Sequence, residues 1–201
     1  MSESPQVTMS SAAHDPDFSQ FRDLVREDLQ ANGGDWRYPG FQALFAYRVG
    51  RFRRNARTRV TRRLLRHLYP YLYRRARDRF GIEVHESSVI GRRVRLIHQS
   101  GIVLHPFTVV GDDCWIRNGV TMGARQDYHK DDHPTLGRGV RIGAGAVLIG
   151  TIRIGDGARI GPNAVVMEDV AAGATVLPPE SEVVVRRRRE AAGRGAADRQ
   201  P

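Results

Sequence analysis

Histidines are the residues of this sequence whose spacing first points to chemistry. An imidazole titrates near neutral pH, so a positioned histidine can take the proton of a hydroxyl as that hydroxyl attacks. His98 is the candidate for such a general base, and Glu83 lies 15 residues before it. His129 and His133 are separated by three residues, which is a spacing of zinc ligands, and His105 lies nearby in sequence. The histidines alone leave two chemistries open, proton transfer and metal binding.

The second half of the chain, which must position these side chains, has a hydrophobic period of six. Apolar residues recur at every sixth position over 84–102, again over 110–122, and again over 136–166. Neither a helix, with 3.6 residues per turn, nor a flat strand, with two, gives that period. Hexapeptide repeats are typical of a parallel β-helix, in which three hexapeptides form one triangular turn and the apolar position faces the interior.

The period of six is interrupted twice. The repeats resume two residues out of frame after Ile102, and 14 residues separate Met122 from Leu136 where 12 would keep the register. The intervening segment 124–133 is polar apart from one alanine and one tyrosine. Polar loops that leave a regular coil often carry function, so we expect chemistry here, although a surface insertion without function would have the same composition.

The periodicity divides the chain into four parts. We predict a disordered segment over 1–17, a helical region over 18–80, a β-helix over 81–180 and a basic, disordered tail over 181–201.

Within the helical region, the apolar spacing predicts three helices. The first two cover 18–30 and 39–52, with Pro39 near the start of the second. A third passes through 60–68, and we expect Pro70 to kink or break it before 71–80.

Charge and composition restrict the classes of function. Residues 48–79 carry 13 arginines and one acid, whereas residues 82–180 carry ten basic residues and eleven acids. Such arginines are either a solvated helix surface or a site for anionic ligands, an acidic polymer or a membrane surface. No DNA- or RNA-binding motif accompanies them, so we expect no nucleic-acid partner. With no run of about 18 apolar residues, no apolar leader and a single cysteine, Cys114, we expect a cytoplasmic protein without a membrane span.

From Gly81 to Val176 the sequence resembles the serine O-acetyltransferases, which are left-handed β-helix enzymes of the hexapeptide acyltransferase superfamily. The motifs that carry the resemblance are Gly81–His85 (GIEVH), Ile97–Val103 (IHQSGIV), Gly119–Gly123 (GVTMG), His133-Pro134 and Ile142–Ala146 (IGAGA). A weaker similarity extends to Arg26–Leu29 and Gly40–Leu44. The resemblance implies a left-handed parallel β-helix preceded by helices.

The resemblance also implies an activity, acetyl-CoA-dependent O-acetyl transfer with His98 as general base. Glu83 stands where the family has an aspartate, and a carboxylate there would fix the imidazole tautomer and stabilise the imidazolium. His133 would come from the polar loop across a subunit boundary, since the family implies a homotrimer. It would bind the acceptor or share the acid–base work.

Two positions implied to bind the acceptor differ from the family. Ile97 replaces an aspartate and Asp132 replaces an arginine, which in the family hold the amino and carboxylate groups of serine. An anion at position 132 does not favour an acceptor carboxylate in that pose. The acceptor is therefore L-serine held by different contacts, or the hydroxyl of a sugar or secondary metabolite. The family's C-terminal isoleucine is absent, so we expect no docking to cysteine synthase.

Acetyl-CoA is expected along the outside of the β-helix between neighbouring subunits. Small residues would let the pantetheine arm approach the backbone. The expected CoA-binding residues are Gly123, Ala124, Ala144 and Gly145, with Arg159 and Arg186–Arg189 at the phosphates. Backbone N–H groups near Gly123 and Ala124 would stabilise the tetrahedral oxyanion.

Two classes outside acyl transfer stay open. Carbonic anhydrases share this type of β-helix, so a zinc-dependent hydratase is one, although the six residues between His98 and His105 do not match that group's ligand spacing. The resemblance itself implies no metal. The second open class is a non-catalytic scaffold or nucleic-acid binder that acts through the arginine-rich helices. Salt-dependent binding to a nucleic-acid duplex would support it.

Overall fold

The computed structural model describes residues 14–126 and 130–180, and these begin with three helices. Helix α1 covers Phe18–Ala31, α2 covers Pro39–Arg54 and α3 covers Arg59–Phe80. Residues 1–13 of the predicted disordered segment 1–17, and the predicted tail 181–201 with Arg186–Arg189, lie outside the described residues. Within the described ranges, no helix is long and apolar enough to cross a membrane.

Capping residues set the ends of the helices. Asp17 and Gln20 form a capping box at the start of α1, and the Thr58 hydroxyl accepts a hydrogen bond from the N–H of Thr61 at the start of α3. Gly81 ends α3 in the left-handed conformation, with φ of 62°. Just before α1, the Asp15 carboxylate lies 2.6 Å from Arg51 of α2.

Pro70 was predicted to kink or break the third helix, and the predicted break is wrong. The helix runs through it without interruption from Arg59 to Phe80. Proline removes one helical N–H and its hydrogen bond. On either side of it, Tyr69 and Ala76 are buried, and the guanidinium of Arg53 in α2 lies 5.1 Å from the centre of the Tyr69 ring. Packing against the rest of the molecule therefore holds both halves in one helix.

After α3 the chain forms short strands that follow the predicted period. In chain order they are β1 (Ile82–Glu83), β2 (Val89–Ile90), β3 (Arg95–Ile97), β4 (Ile102–Leu104), β5 (Val109–Val110), β6 (Trp115–Arg117), β7 (Thr121–Gly123), β8 (Thr135–Leu136), β9 (Arg141–Ile142), β10 (Val147–Ile149), β11 (Arg153–Ile154), β12 (Arg159–Ile160), β13 (Val165–Val166) and β14 (Thr175–Val176).

The strands stack into three parallel sheets that enclose a prism. Sheet A has the order β1-β4-β7-β10-β13, sheet B has β11-β8-β5-β2, and sheet C has β14-β12-β9-β6-β3. One buried apolar column lines the inside of each sheet, such as Ile90, Val110, Leu136 and Ile154 in sheet B. These columns form the hydrophobic core, as expected for stacked hexapeptide coils.

Two turns of the prism are longer than the others. Val103 pairs with Thr121, eighteen positions on, and Val147 pairs with Val165 at the same separation. By contrast, Glu83 pairs with Val103, twenty positions on, and Thr121 pairs with Val147, twenty-six positions on. The first long turn therefore has two extra residues and the second has eight.

The positions and the number of extra residues predicted from the apolar pattern were not correct. The first two fall in the corner 98–101, between β3 and β4, and not after Ile102. Ile102 and Leu104 are both buried, so the pattern could not tell which of them holds the repeat position, and Leu104 pairs with Met122. The other eight all fall in the segment 124–134, where a shift of only two was predicted.

Helices α1 and α2 close the first turn of the prism. Buried Arg48 donates to the carbonyls of Ile90 (2.9 Å) and Gly91 (2.5 Å) and lies 2.8 Å from the carboxylate of Asp28. Burial opposes the charge on Arg48, but Asp28 outweighs it, and the pKa of Arg48 is raised. The Asn32 side chain donates to the carbonyl of Val94. These contacts cover a sheet end that would otherwise be exposed.

Candidate active site

The corner that holds His98 contains the two extra residues of the first turn. His98, Ser100 and Gly101 have φ of 64°, 95° and 68°, a conformation that residues other than glycine rarely adopt. The hydroxyl of Tyr38, in the α1–α2 loop, accepts a hydrogen bond from the backbone N–H of His98 (2.9 Å). The N–H of Ser100 donates to the carbonyl of Phe80 (2.9 Å). The corner is therefore held on both sides while the His98 side chain stays exposed.

Glu83 lies beside the same corner. It occupies β1 on the outer surface of sheet A, and the N–H of Ile102, directly after the corner, donates to the carbonyl of Gly81 (3.0 Å). No hydrogen bond joins the Glu83 carboxylate to the His98 ring among the described residues. Catalytic hydrogen bonds are often long or poorly aligned when no substrate is bound. The relevant observation is therefore that Glu83 and His98 lie at the same corner.

The polar loop is anchored through Asp132. Its carboxylate accepts hydrogen bonds from the N–H groups of Arg125 (2.6 Å) and Gln126 (3.4 Å) and from the hydroxyl of Thr151 (3.0 Å). The bond from Arg125, which has the largest effect, and the other two hold the pKa of Asp132 below its usual value. Asp132 thus determines the shape of its own loop.

His133 lies against His105, which was not among the predicted site residues. The rings of His133 and His105 are nearly parallel, with centres 6.2 Å apart. Burial, followed by the neighbouring His133, lowers the pKa of His105. His85 and His105 occupy the same position in successive turns, and each Nδ1 accepts the N–H two residues on. The twenty-residue length of the first turn, had it been recognised, would have placed His105 in this corner.

The predicted site residues fall into two groups on one chain. His98, Ala144 and Gly145 lie where the strands of sheet A begin, and Gly123, Ala124, Asp132 and His133 lie where they end. We call these the amino edge and the carboxyl edge of sheet A. The four residues 146–149 between the two edges extend over about 13 Å at the usual rise per residue. One chain therefore does not bring His98 and His133 together.

The small residues at the two edges differ in the space around them. Gly145 has φ of 72°, and a Cβ there would lie 2.2 Å from Asn163 Oδ1, so the coil itself favours glycine at this position. A Cβ on Gly123 would have Ile149 Cδ1, at 3.4 Å, as its nearest neighbour. Arg159 lies on sheet C, in one outward column with Arg141 and Trp115.

No group of three or more metal-ligating side chains occurs in the part of the chain that the structure describes, which omits His129.

Comparison with known proteins decides the family. The family model for bacterial transferase hexapeptide repeats (six repeats) matches residues 133–167. A serine acetyltransferase of Helicobacter pylori (strain J99) is 35% identical over 176 residues, which are 86% of this chain and 99% of that protein. The chain belongs to the serine acetyltransferase family. Membership confirms the resemblance and the predicted fold class, a left-handed parallel β-helix, and makes the chain an acyltransferase.

Other members of the serine acetyltransferase family are longer than this chain. The serine acetyltransferase of Synechococcus elongatus is 38% identical over 149 residues, 74% of this chain but only 58% of that protein. A solved serine acetyltransferase in complex with CoA is 29% identical, with a TM-score of 0.66 over 83% of this chain and 71% of the other. The chain thus spans little more than half of some relatives it matches.

Proposed function

We propose that the chain transfers the acetyl group of acetyl-CoA to the hydroxyl of a small acceptor, with L-serine as the first candidate. Family membership and the similar structure that holds CoA support this reaction. The observation that carries it is the position of His98, which is exposed in a corner that Tyr38 holds and that leads directly into the strand paired with the strand of Glu83. No metal is part of the proposal.

His98 acts in both halves of the proposed reaction. Its imidazole takes the proton of the acceptor hydroxyl while the oxygen attacks the thioester carbonyl, and Glu83 stabilises the imidazolium that forms. The tetrahedral intermediate then collapses, the C–S bond breaks, and the imidazolium returns the proton to the CoA sulfur. Backbone N–H groups near Gly123 and Ala124 stabilise the oxyanion.

The site is proposed to form between two chains of a homotrimer. The outer surface of sheet A, which separates the two edges, carries one column of Glu83, Val103, Thr121, Val147 and Val165, and Val165 is 64% exposed. Covering the valines of this column with a neighbouring chain would bring His98 of one chain near His133 of the next. Acetyl-CoA would then lie between an amino edge with Ala144 and Gly145 and a carboxyl edge with Gly123 and Ala124, and Arg159 would meet its phosphates.

A mixing experiment tests the shared site. His98→Ala and His133→Ala trimers are dissociated, mixed and reassembled. In a mixed trimer, the intact His98 of one variant can meet the intact His133 of the other. Activity should therefore return if the two histidines of a site come from different chains. Reassembled trimers with no more activity than the separate variants would contradict a shared site.

The identity of the acceptor depends on Ile97 and Asp132. Neither offers a cation to a carboxylate or an anion to an ammonium group near His98, because Ile97 is apolar and Asp132 is engaged by its own loop. This observation keeps a sugar or secondary-metabolite hydroxyl as the second candidate. A cytoplasmic location is part of the proposal, supported by the single, buried Cys114.

The deciding measurement is acetyl-CoA consumption, followed as release of free thiol, with L-serine, homoserine, sugars and amino sugars. Turnover with serine would support a serine acetyltransferase that holds its substrate by different contacts. Turnover with another acceptor alone would keep the mechanism and change the substrate. CoA binding without turnover would mean that the acceptor is missing from the panel, and no CoA binding would reject the proposal.

A further inference from the structure

Helix α3 exposes an apolar stripe on the face opposite its buried one. Leu65, Tyr69 and Ala76 are buried on the inner face. On the outer face, Val60, Leu64 and Tyr71 are 78%, 64% and 62% exposed. Because these three are spaced by four and seven residues, they lie along one line of the helix surface. Nothing in the mechanism proposed above uses this stripe.

Arginines flank the apolar stripe without acidic partners. A shallow depression of about 610 Å³ beside Tyr71 is lined by Arg66, Arg74, Arg75 and Arg79, with Asp78 as the one acid of its lining. None of these four arginines has an ion pair with the described residues, and Asp78, the one acid of α3, pairs with Arg77 (2.7 Å). The outer face of α3 therefore presents a concentrated positive charge around an apolar line.

The arginines of α2 behave differently. Arg48 pairs with Asp28, Arg53 with Glu86, and Arg54 with Asp15. Their charge is compensated by neighbouring elements, so they need no external partner. Of these two arginine-rich helices, α3 therefore carries the arginines that have no ion pair among the described residues.

We propose that the outer face of α3 docks on an anionic lipid bilayer. Lipid phosphates would meet the arginines of the depression, and Val60, Leu64 and Tyr71 would enter the boundary between headgroups and acyl chains. The long arginine side chains can reach the headgroups while the apolar stripe lies deeper. The helix does not span the membrane; it lies on it.

Charge and apolarity together favour a bilayer over two other partners. A second copy of the chain would bring like charges together at this face, which is unfavourable. A nucleic acid would neutralise the arginines but offers no apolar surface to cover Val60 and Leu64. An anionic bilayer satisfies both features.

Vesicle sedimentation with the full chain tests the proposal. We expect binding to vesicles of equal phosphatidylglycerol and phosphatidylcholine, little binding to pure phosphatidylcholine, and weakening as salt rises. Each arginine near an anionic surface contributes about five-fold to affinity, so Arg66→Glu/Arg74→Glu should weaken binding by at least about 25-fold. The matched control is Arg138→Glu/Arg153→Glu, which changes the charge equally on exposed residues of the β-helix and should bind within two-fold of the unchanged protein.

Leu64→Ser separates the apolar contribution from the charge. We expect the Leu64→Ser protein to bind at low salt and to be released at a lower salt concentration than the unchanged protein. Equal binding to both kinds of vesicle, or equal loss in the Arg138→Glu/Arg153→Glu control, would overturn the proposal. So would tight binding to duplex DNA without binding to vesicles, or self-association that Leu64→Ser abolishes.

Discussion

The long and the short corners of the same β-helix differ in how they are packed and in which residues they hold. In the short corners each turn lies directly on the next, and a Cβ on Gly111 would lie 2.4 Å from the carbonyl oxygen of Gly137. The two long corners contain extra residues, and His98 and His133 lie in them. Regular repeats therefore determine the fold, and the departures from them hold the residues that can do chemistry.

The comparison predicts opposite consequences for substitutions in the two kinds of corner. A change in a long corner should lower activity and leave stability nearly unchanged, because few buried contacts depend on it. A change in a short corner should lower stability and leave the activity of each folded molecule nearly unchanged.

Replacing His98 with alanine should have the largest effect. We expect kcat to fall by about 10²–10⁴, because general-base catalysis typically contributes that much. The thermal midpoint and CoA affinity should stay close to those of the unchanged protein, since the side chain is exposed. Thiol release, thermal unfolding and CoA titration provide the three measurements.

Gln99→Ala is the matched control for His98→Ala, because Gln99 is exposed in the same corner. It should retain kcat within a few-fold. If His98→Ala retained comparable activity, His98 would not be the general base.

Replacing Arg48 with methionine should have the largest effect on stability. The change leaves the Asp28 carboxylate buried without its cation and removes the donors to Ile90 and Gly91, which should cost about 3–5 kcal/mol. Chemical denaturation measures this loss. Arg54→Met, which removes an exposed ion pair from the same helix, should cost no more than about 1 kcal/mol.

The double variant Asp28→Leu/Arg48→Met sharpens the Arg48 result. It should recover part of the stability that Arg48→Met loses, because it removes the unpaired carboxylate as well. If Arg48→Met and Arg54→Met lost the same free energy of unfolding, the buried pair would not support the first turn.

The contrast between regular repeats and long corners also explains which features the sequence could predict. The period of six predicted the β-helix because each coil needs the same inward apolar residue. It could not place the two extra residues of the first turn, since Ile102 and Leu104 are both buried. The sequence also could not predict that His98 and His133 lie at opposite edges of sheet A, because that requires knowing where each turn begins.

Side-chain partners were the other feature beyond the reach of the sequence. Arg48 counts as one of many arginines until the fold places it on the carbonyls of Ile90 and Gly91. From its place in the sequence, Asp132 was predicted to contact the acceptor. Only the fold shows that Thr151, from the next turn, donates a hydrogen bond to its carboxylate. Pro70 predicted a kink or a break, and the burial of Tyr69 beside it, in a helix that stays continuous, could not be foreseen from the sequence.

Substituting Gly111 tests the short corners. Alanine at this position would press a Cβ into the backbone of Gly137, and we expect a loss of about 3 kcal/mol. Gly139→Ala is the control, because a Cβ there meets open space and the cost is that of the left-handed backbone alone, about 1–2 kcal/mol. Denaturation measures both. A Gly111→Ala protein as stable as Gly139→Ala would mean that the turns are less tightly stacked than described.

Asp132 gives the smallest effect and tests whether the second long corner faces the acceptor. Replacing it changes two things, the hydrogen bonds that shape the loop and the charge presented to an acceptor. Asp132→Asn keeps an oxygen acceptor and removes the charge, whereas Asp132→Arg places a cation there. If a carboxylate of L-serine lies near this position, kcat/KM for serine should be about ten-fold higher in Asp132→Arg than in Asp132→Asn, because an ion-assisted hydrogen bond replaces a neutral one.

Both variants lose the carboxylate charge, but only asparagine keeps an oxygen that can accept the loop hydrogen bonds, so the ratio for serine also contains a loop contribution. The same ratio measured with an uncharged sugar acceptor gives the loop contribution alone, and the ten-fold expectation applies to the serine ratio divided by this reference. Equal ratios for serine and for the sugar would show that position 132 does not face an acceptor carboxylate. Asp132 would then act through the loop alone, as its bonds to Arg125 and Thr151 already suffice to explain, and the difference from the family at this position would no longer argue against serine.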